Sequence, residues 1–383
     1  MGRVAVSGSV IDWALNRVGV TTISMKRKFP QIDEWKSGQT YPTLNQLENF
    51  AHFTRTPLGF FFLEEPPKEQ LPIPFFRTIE EHFEISFSPD LIETIYKMQQ
   101  RQIWVRDYLL SNGCSPLHFV GMAENNDNPK LIAQTIKKIL SLKRNWAAQQ
   151  NSWTEALKFL RNIIETSGIF VVTNGVVGNN THRKLDPNEF RGFVLSDSIA
   201  PLIFVNGSDG KAAQMFTIAH ELAHVFIGNS AAFDLRELLP ANDPKEQLCN
   251  KIAAEFLVPE DEIKNFWPQV KNNTDRFQLI AGHYKVSSIV AARRALDLNL
   301  INKNVFLEFY NNYLNDERRT TESQPEGGDF YANQNLRIGK RFAILISQAA
   351  REGKILYSEA YRLTGIYGNT FETFTSSLFG KGI

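Results

Sequence analysis

The stretch Phe216-Thr217-Ile218-Ala219-His220-Glu221-Leu222-Ala223-His224-Val225-Phe226 constrains this chain more than any other part of it. Residues four apart on a helix share a face. His220 and His224 can therefore offer two imidazoles to one metal ion, and Glu221, one residue round, can reach a water at that ion. Zn2+ held by neutral nitrogen and oxygen ligands lowers the pKa of water to near neutral, as attack on an amide requires. Phe216, Ile218, Leu222, Ala223, Val225 and Phe226 surround the motif with apolar side chains. Such a helix has to be buried, with the rest of the fold built around it.

A catalytic zinc site takes three protein ligands and keeps one position open. The segment 244–259, PKEQLCNKIAAEFLVP, is the nearest source of a third, and it reads as a second helix stopped by Pro259. Glu246 falls on its first turn, 22 residues after His224. Asn250 lies one turn further on the same face, placed to hydrogen-bond a ligand imidazole from behind. Glu255 is a rival carboxylate facing another way, and Asp234, in the intervening loop, is a second rival. A developing oxyanion needs a further donor. His283, Tyr284 and Arg294 are candidates by being polar and downstream, and nothing in the residues chooses among them. The strand around 190–195 or the one at 202–205 could offer an edge to an extended peptide, or both could be internal.

FTIAHELAHVF followed by E-x-x-C-N-x-x-A-A-E-F-L-V-P resembles the ImmA/IrrE metallopeptidases, differing in Cys249 where a small residue is common. The resemblance implies a zincin-like core in which His220, His224 and Glu246 hold Zn2+ and Glu221 is the general base and proton shuttle. It also implies a protein substrate, a transcriptional repressor or other regulator.

Ahead of the motif, residues 8–63 read as short packed helices, with Thr43 a helix cap after Pro42. The pattern I-D-E-W-K-S-G-x-x-Y-P-T-L-N-Q-L-E-N-F-A (32–51) resembles the latter half of a Cro/repressor-type helix-turn-helix domain. Between Thr21 and Trp35, however, the chain is too short for two full helices and a turn, and Pro30 interrupts it. Lys26, Arg27 and Lys28 can meet phosphate, but base readout is compromised, so a helical docking module is the preferred reading over DNA binding. The same layout, with PIPFFRT at 72–78 and a basic helical tail, resembles a long subgroup of the family, some of whose members are thought to act as antitoxins. That implies an alternative function: a regulatory protein binding DNA or a toxin partner, its zinc fold serving as scaffold. A second helix-turn-helix-like pattern at 276–296, turning at Val286-Ser287, is read as support for the zinc domain.

The Pro-rich stretch 64–74 reads as an extended linker, and 88–112 as a long helix capped by Ser88. Helices are expected near 130–141 and 153–166, three or so strands across 168–205, the motif helix at 211–227, a loop at 228–243, and helices again through 260–315. TTESQPEGGD (320–329) has linker composition, and 335–383 is helical with seven Lys and Arg against three Glu. The expected class is α+β, mainly helical, with a small mixed or antiparallel sheet. The domains expected are a degenerate helix-turn-helix-like unit at 1–66, a Pro-rich linker and helical connector at 67–150, the metallopeptidase core at 151–318, and a linker with a basic helical segment at 319–383.

A net charge of +1 argues against a strongly polyanion-seeking chain, and two cysteines give no disulfide framework. The N-terminus lacks signal-peptide character and no run approaches a membrane span, so a cytoplasmic protein is expected.

Overall fold

The computed structural model describes residues 2–69, 73, 75–76, 87–123, 128–228, 231–233, 243–315 and 330–379. The expected linker 320–329, the rival ligand Asp234 with the rest of 234–242, and residues 124–127 lie outside the described residues. The fold is mainly helical α+β, and packing divides it into two units: Met1–Pro72 with Glu80–Tyr96, and Ile73–Ile79 with Lys97–Ile383.

The first unit is a set of short helices, Gly8–Arg17, Thr22–Met25, Ile32–Ser37 and Leu44–Phe53, around a core of Ile11, Trp35, Phe50 and Phe61. Thr43 caps the last of them in a reciprocal box: its hydroxyl accepts from the Gln46 amide, and the Gln46 side chain accepts from the Thr43 amide. Where a recognition helix would precede Trp35, the backbone forms only the four-residue helix Thr22–Met25. About three turns are needed to fill a major groove.

The second unit contains a five-stranded mixed sheet. Its strands in chain order are β1 (Phe75–Phe76), β2 (Phe170–Asn174), β5 (Gly192–Leu195), β6 (Leu202–Asn206) and β7 (Ala231–Phe233), with β3 (Val176–Val177) and β4 (Asn180–Lys184) forming a separate hairpin. The sheet order is β1-β7-β5-β6-β2, parallel at β1/β7 and β2/β6 and antiparallel at β7/β5 and β5/β6. The run expected as three strands is therefore five, because Gly175 splits GIFVVTNGVV into β2 and β3 and the polar NTHRK strand has no apolar alternation to announce it. The loop expected at 228–243 contributes β7, three residues too short to register as a strand in sequence. Both strands considered as peptide edges are internal: β5 is bonded on both sides, by β6 and β7, and β6 by β5 and β2. Phe193 and Phe204 are register partners on β5 and β6, and their rings stack at 4.8 Å.

Apolar side chains cover both faces of this sheet, so β2, β5 and β6 are buried throughout. The motif helix, Lys211–Ile227, lies against β5 and β6 and packs along a second helix, Pro244–Leu257. The C-terminal helices Phe330–Ile338, Lys340–Arg351, Tyr357–Thr364 and Gly368–Phe379 belong to the same unit. The buried Arg101 on the long helix Pro89–Ser111 bonds to two of them, its guanidinium donating to the carbonyls of Leu363 (2.9 Å) and Arg337 (3.0 Å). Both carbonyls lie in last turns of helices, where the helix dipole favours a cation.

Candidate metal centre

The motif helix is apolar nearly all round, and from Gln214 to Phe226 it is buried without interruption. It stops at Gly228, whose backbone is left-handed (φ 82°) and whose amide bonds back to the His224 carbonyl. A side chain at Gly228 would also lie 2.8 Å from the Gly121 Cα. The second helix starts with Asp243 as cap and Pro244 behind it. The Asp243 carboxylate accepts from the amides of Lys245 (2.7 Å) and Glu246 (3.3 Å), which fixes the turn that carries Glu246.

These two helices bring His220, His224 and Glu246 together, and all three are buried to within 1% of full exclusion. Glu246 Oε2 lies 3.0 Å from His220 Nε2, Glu246 Oε1 lies 3.1 Å from His224 Nε2, and the two Nε2 atoms are 3.1 Å apart. His220 Nδ1 is 3.1 Å from Asn250 Oδ1, which can only accept there. His220 is therefore protonated at Nδ1 when neutral, and its Nε2 lone pair points at the cluster. Burial pushes the His220 pKa down, against the pull of Glu246, so the neutral imidazole is favoured. Burial would raise Glu246, but the two histidines outweigh it and bring the carboxyl to about 2. The result is a convergence of lone pairs around one point, and a divalent cation with a taste for nitrogen and oxygen resolves it. The donor set of two imidazoles and one carboxylate matches an open catalytic zinc site, with a fourth position left over.

Glu221 sits beside this cluster, fully buried, and among the described residues neither of its carboxyl oxygens has a hydrogen-bond partner. Burial, reinforced by the charge on Glu246, raises its pKa well above the ordinary carboxylate range. It has room because β5 carries Gly192 at this point. A Cβ there would stand 2.6 Å from Thr217 Cγ2, 2.8 Å from the Phe204 carbonyl and 3.1 Å from Glu221 Oε1.

Cys249, three residues beyond Glu246 on the same helix, is buried, and burial holds its thiol well above its usual pKa, so it stays protonated. Glu255 is salt-bridged to Arg294, and Arg294 Nε donates to the Val258 carbonyl at 3.0 Å. One rival ligand and one oxyanion candidate thus hold each other. His283 stacks on Phe266 at 4.4 Å, and Tyr284 is buried in edge contact with both rings. The residues that sequence reasoning passed over are Gly192, Thr217 and Asp243. Asp243 had a usable signal, an Asp-Pro pair opening a helix. Gly192, a glycine inside a β-rich run, signals close approach but not what approaches.

Residues 164–296, about a third of the 383-residue chain, match the family model described as the IrrE N-terminal-like domain, Peptidase_M78. The match spans β2 to the helix Ser288–Asp297 and so includes the whole cluster, and over that stretch it supports kinship with the ImmA/IrrE family. Residues 338–377 match a domain of unknown function, DUF8813, which covers the helices Lys340–Arg351 and Tyr357–Thr364 and most of Gly368–Phe379. The chain matches no curated protein.

Proposed function

We propose that this protein is a zinc-dependent endopeptidase acting on a specific protein substrate inside the cell, a transcriptional repressor or related regulator. The observation that carries the reading is the buried meeting of His220 Nε2, His224 Nε2 and Glu246 beside the unpartnered Glu221 carboxyl. The peptidase family match over the same residues supports it, and the regulator as substrate comes from the resemblance alone.

His220, His224 and Glu246 would hold the ion, with Asn250 fixing the tautomer and tilt of His220. Zinc bound there supplies Lewis acidity, polarising a scissile carbonyl and bringing the pKa of water towards neutral. Glu221 takes up the proton at a carboxyl oxygen and passes it to the departing amine nitrogen. A carboxyl whose pKa burial raises holds a transferred proton more firmly than an ordinary carboxylate before passing it on. The apolar wall around Glu221 keeps its charge poorly solvated and its proton affinity high.

A second reading, a regulatory or antitoxin-type protein using the zinc fold as scaffold, draws on the complete burial of Glu221. One variant separates the two. Glu221→Gln keeps the ligands and the shape but removes the base. Co-expression with proteins encoded beside this one, followed by immunoblot, should show a partner lost with the parent protein and intact with Glu221→Gln. Equal loss with both proteins, or retained biological function in the variant, overturns the peptidase reading.

A further inference from the structure

The second unit holds a cavity of about 320 Å3 between the helices Pro129–Ile139, Pro244–Leu257 and Glu260–Val270. Its charged lining is Lys137, Arg144, Glu255, Asp261 and Glu262. Two of the acids already have close partners: Glu255 is paired with Arg294, and Asp261 lies 3.0 Å from Lys130. Two other groups are left without such partners.

Lys137 is part-buried, and among the described residues its ammonium forms no hydrogen bond or ion pair, only a contact over the Phe256 ring at 5.9 Å. Burial lowers its pKa, which Glu262 and Glu255 partly offset. The Glu262 side chain is only 10% exposed, and the nearest cation is Arg144 Nε at 4.0 Å, the limit of an ion pair, on a side chain that is 75% exposed. A part-buried ammonium and a part-buried carboxylate each lose some hydration, which an opposite charge offsets. Here both line one cavity without pairing to one another.

We propose that this cavity is a binding site for a small zwitterion of free amino-acid size, its carboxylate on Lys137 and its ammonium on Glu262. A ligand with both charges satisfies both groups at once, and an anion or a cation alone satisfies one. The volume sits at the low end for ligand pockets and accommodates a molecule of amino-acid size. Arg144, at the rim, can close over the carboxylate end, since guanidinium binds carboxylate in a two-pronged fashion. The site does not depend on the peptidase reading, because none of the residues it uses belongs to the cluster of His220, His224 and Glu246.

The test is calorimetric titration of the full chain with each of the twenty L-amino acids, with acetate and methylammonium as single-charge controls. At least one amino acid should bind one per chain, with acetate and methylammonium at least about tenfold weaker. Lys137→Gln and Glu262→Gln should each weaken binding about tenfold or more, Lys137→Arg should restore part of it, and the exposed neighbour variant Lys138→Gln should bind as the parent does. Circular dichroism confirms that the variants are folded. The proposal is overturned if no amino acid binds up to about 10 mM, if acetate binds as well as the best amino acid, or if binding survives both Gln substitutions.

Discussion

Arg294 and Glu255 form a buried ion pair that ties the helix Ser288–Asp297 to the end of the helix bearing Glu246. The pair is well supplied with further bonds: Arg294 also donates to Val258 O, and the Glu255 carboxylate also accepts from the Glu260 amide at 3.2 Å. Satisfied in this way, two charges can stay out of water, but removing one leaves the other stranded.

Arg294→Met and Glu255→Leu, tested singly, should therefore each cost about 3–5 kcal/mol of stability in the second unit. The double variant Glu255→Leu with Arg294→Met should be less destabilised than the sum, because no uncompensated charge remains. Urea unfolding of the four proteins closes the cycle. A strictly additive double variant would show that the two do not act as a pair.

Metal content should follow the ligand set. His220→Ala, His224→Ala and Glu246→Ala should each abolish stoichiometric zinc as measured by plasma mass spectrometry, while Glu221→Gln retains it. Asn250→Ala removes only the acceptor behind His220 and should weaken zinc about 10–100-fold, read by chelator competition. Full zinc retention in Glu246→Ala would move the third ligand elsewhere.

Gly192→Val should be poorly tolerated. The added Cβ meets Thr217, the Phe204 carbonyl and Glu221 at once, two of them closer than 3.0 Å. Overpacking of this kind costs about 1–3 kcal/mol, and here it also displaces the Glu221 carboxyl. Thermal unfolding should drop while zinc binding, which needs only the two helices, persists in the folded fraction.

Releasing Arg101 should free the C-terminal helices. Arg101→Met keeps the stem but removes the donors to Leu363 and Arg337. Limited proteolysis should then cut within 340–379 faster than in the parent, with the motif helix still protected. Equal protection in both proteins would show that apolar packing alone holds the segment.

Glu165 gives a pH signature. Its carboxylate accepts from the Arg341 amide at 3.1 Å, but burial dominates and raises its pKa above 4.5. The folded state thus holds the proton more tightly than the unfolded chain. Any stability it contributes is present in full below pH 4.5 and is lost as pH rises through the folded pKa. Glu165→Gln should accordingly raise the melting temperature at pH 7 and leave it unchanged at pH 4, relative to the parent. A variant that is less stable at pH 7 would reverse the sign assigned to this group.

What the sequence determined by itself was local and periodic. The spacing of His220 and His224, the apolar positions around them, the second helix opening at Pro244 and the cap at Thr43 all follow from residues within a few turns of each other. Helical period and capping chemistry are short-range, so they can be read without knowing the fold. Tertiary structure decided what required two distant segments to meet. It put Glu246 rather than Glu255 beside the histidines, and it spent Glu255 on Arg294, 39 residues away. It enclosed β5 between β6 and β7, and it set Gly192 against Glu221. Pairing across a sheet and the partner of a buried charge depend on which surfaces exclude water together, and no window along the chain contains that information.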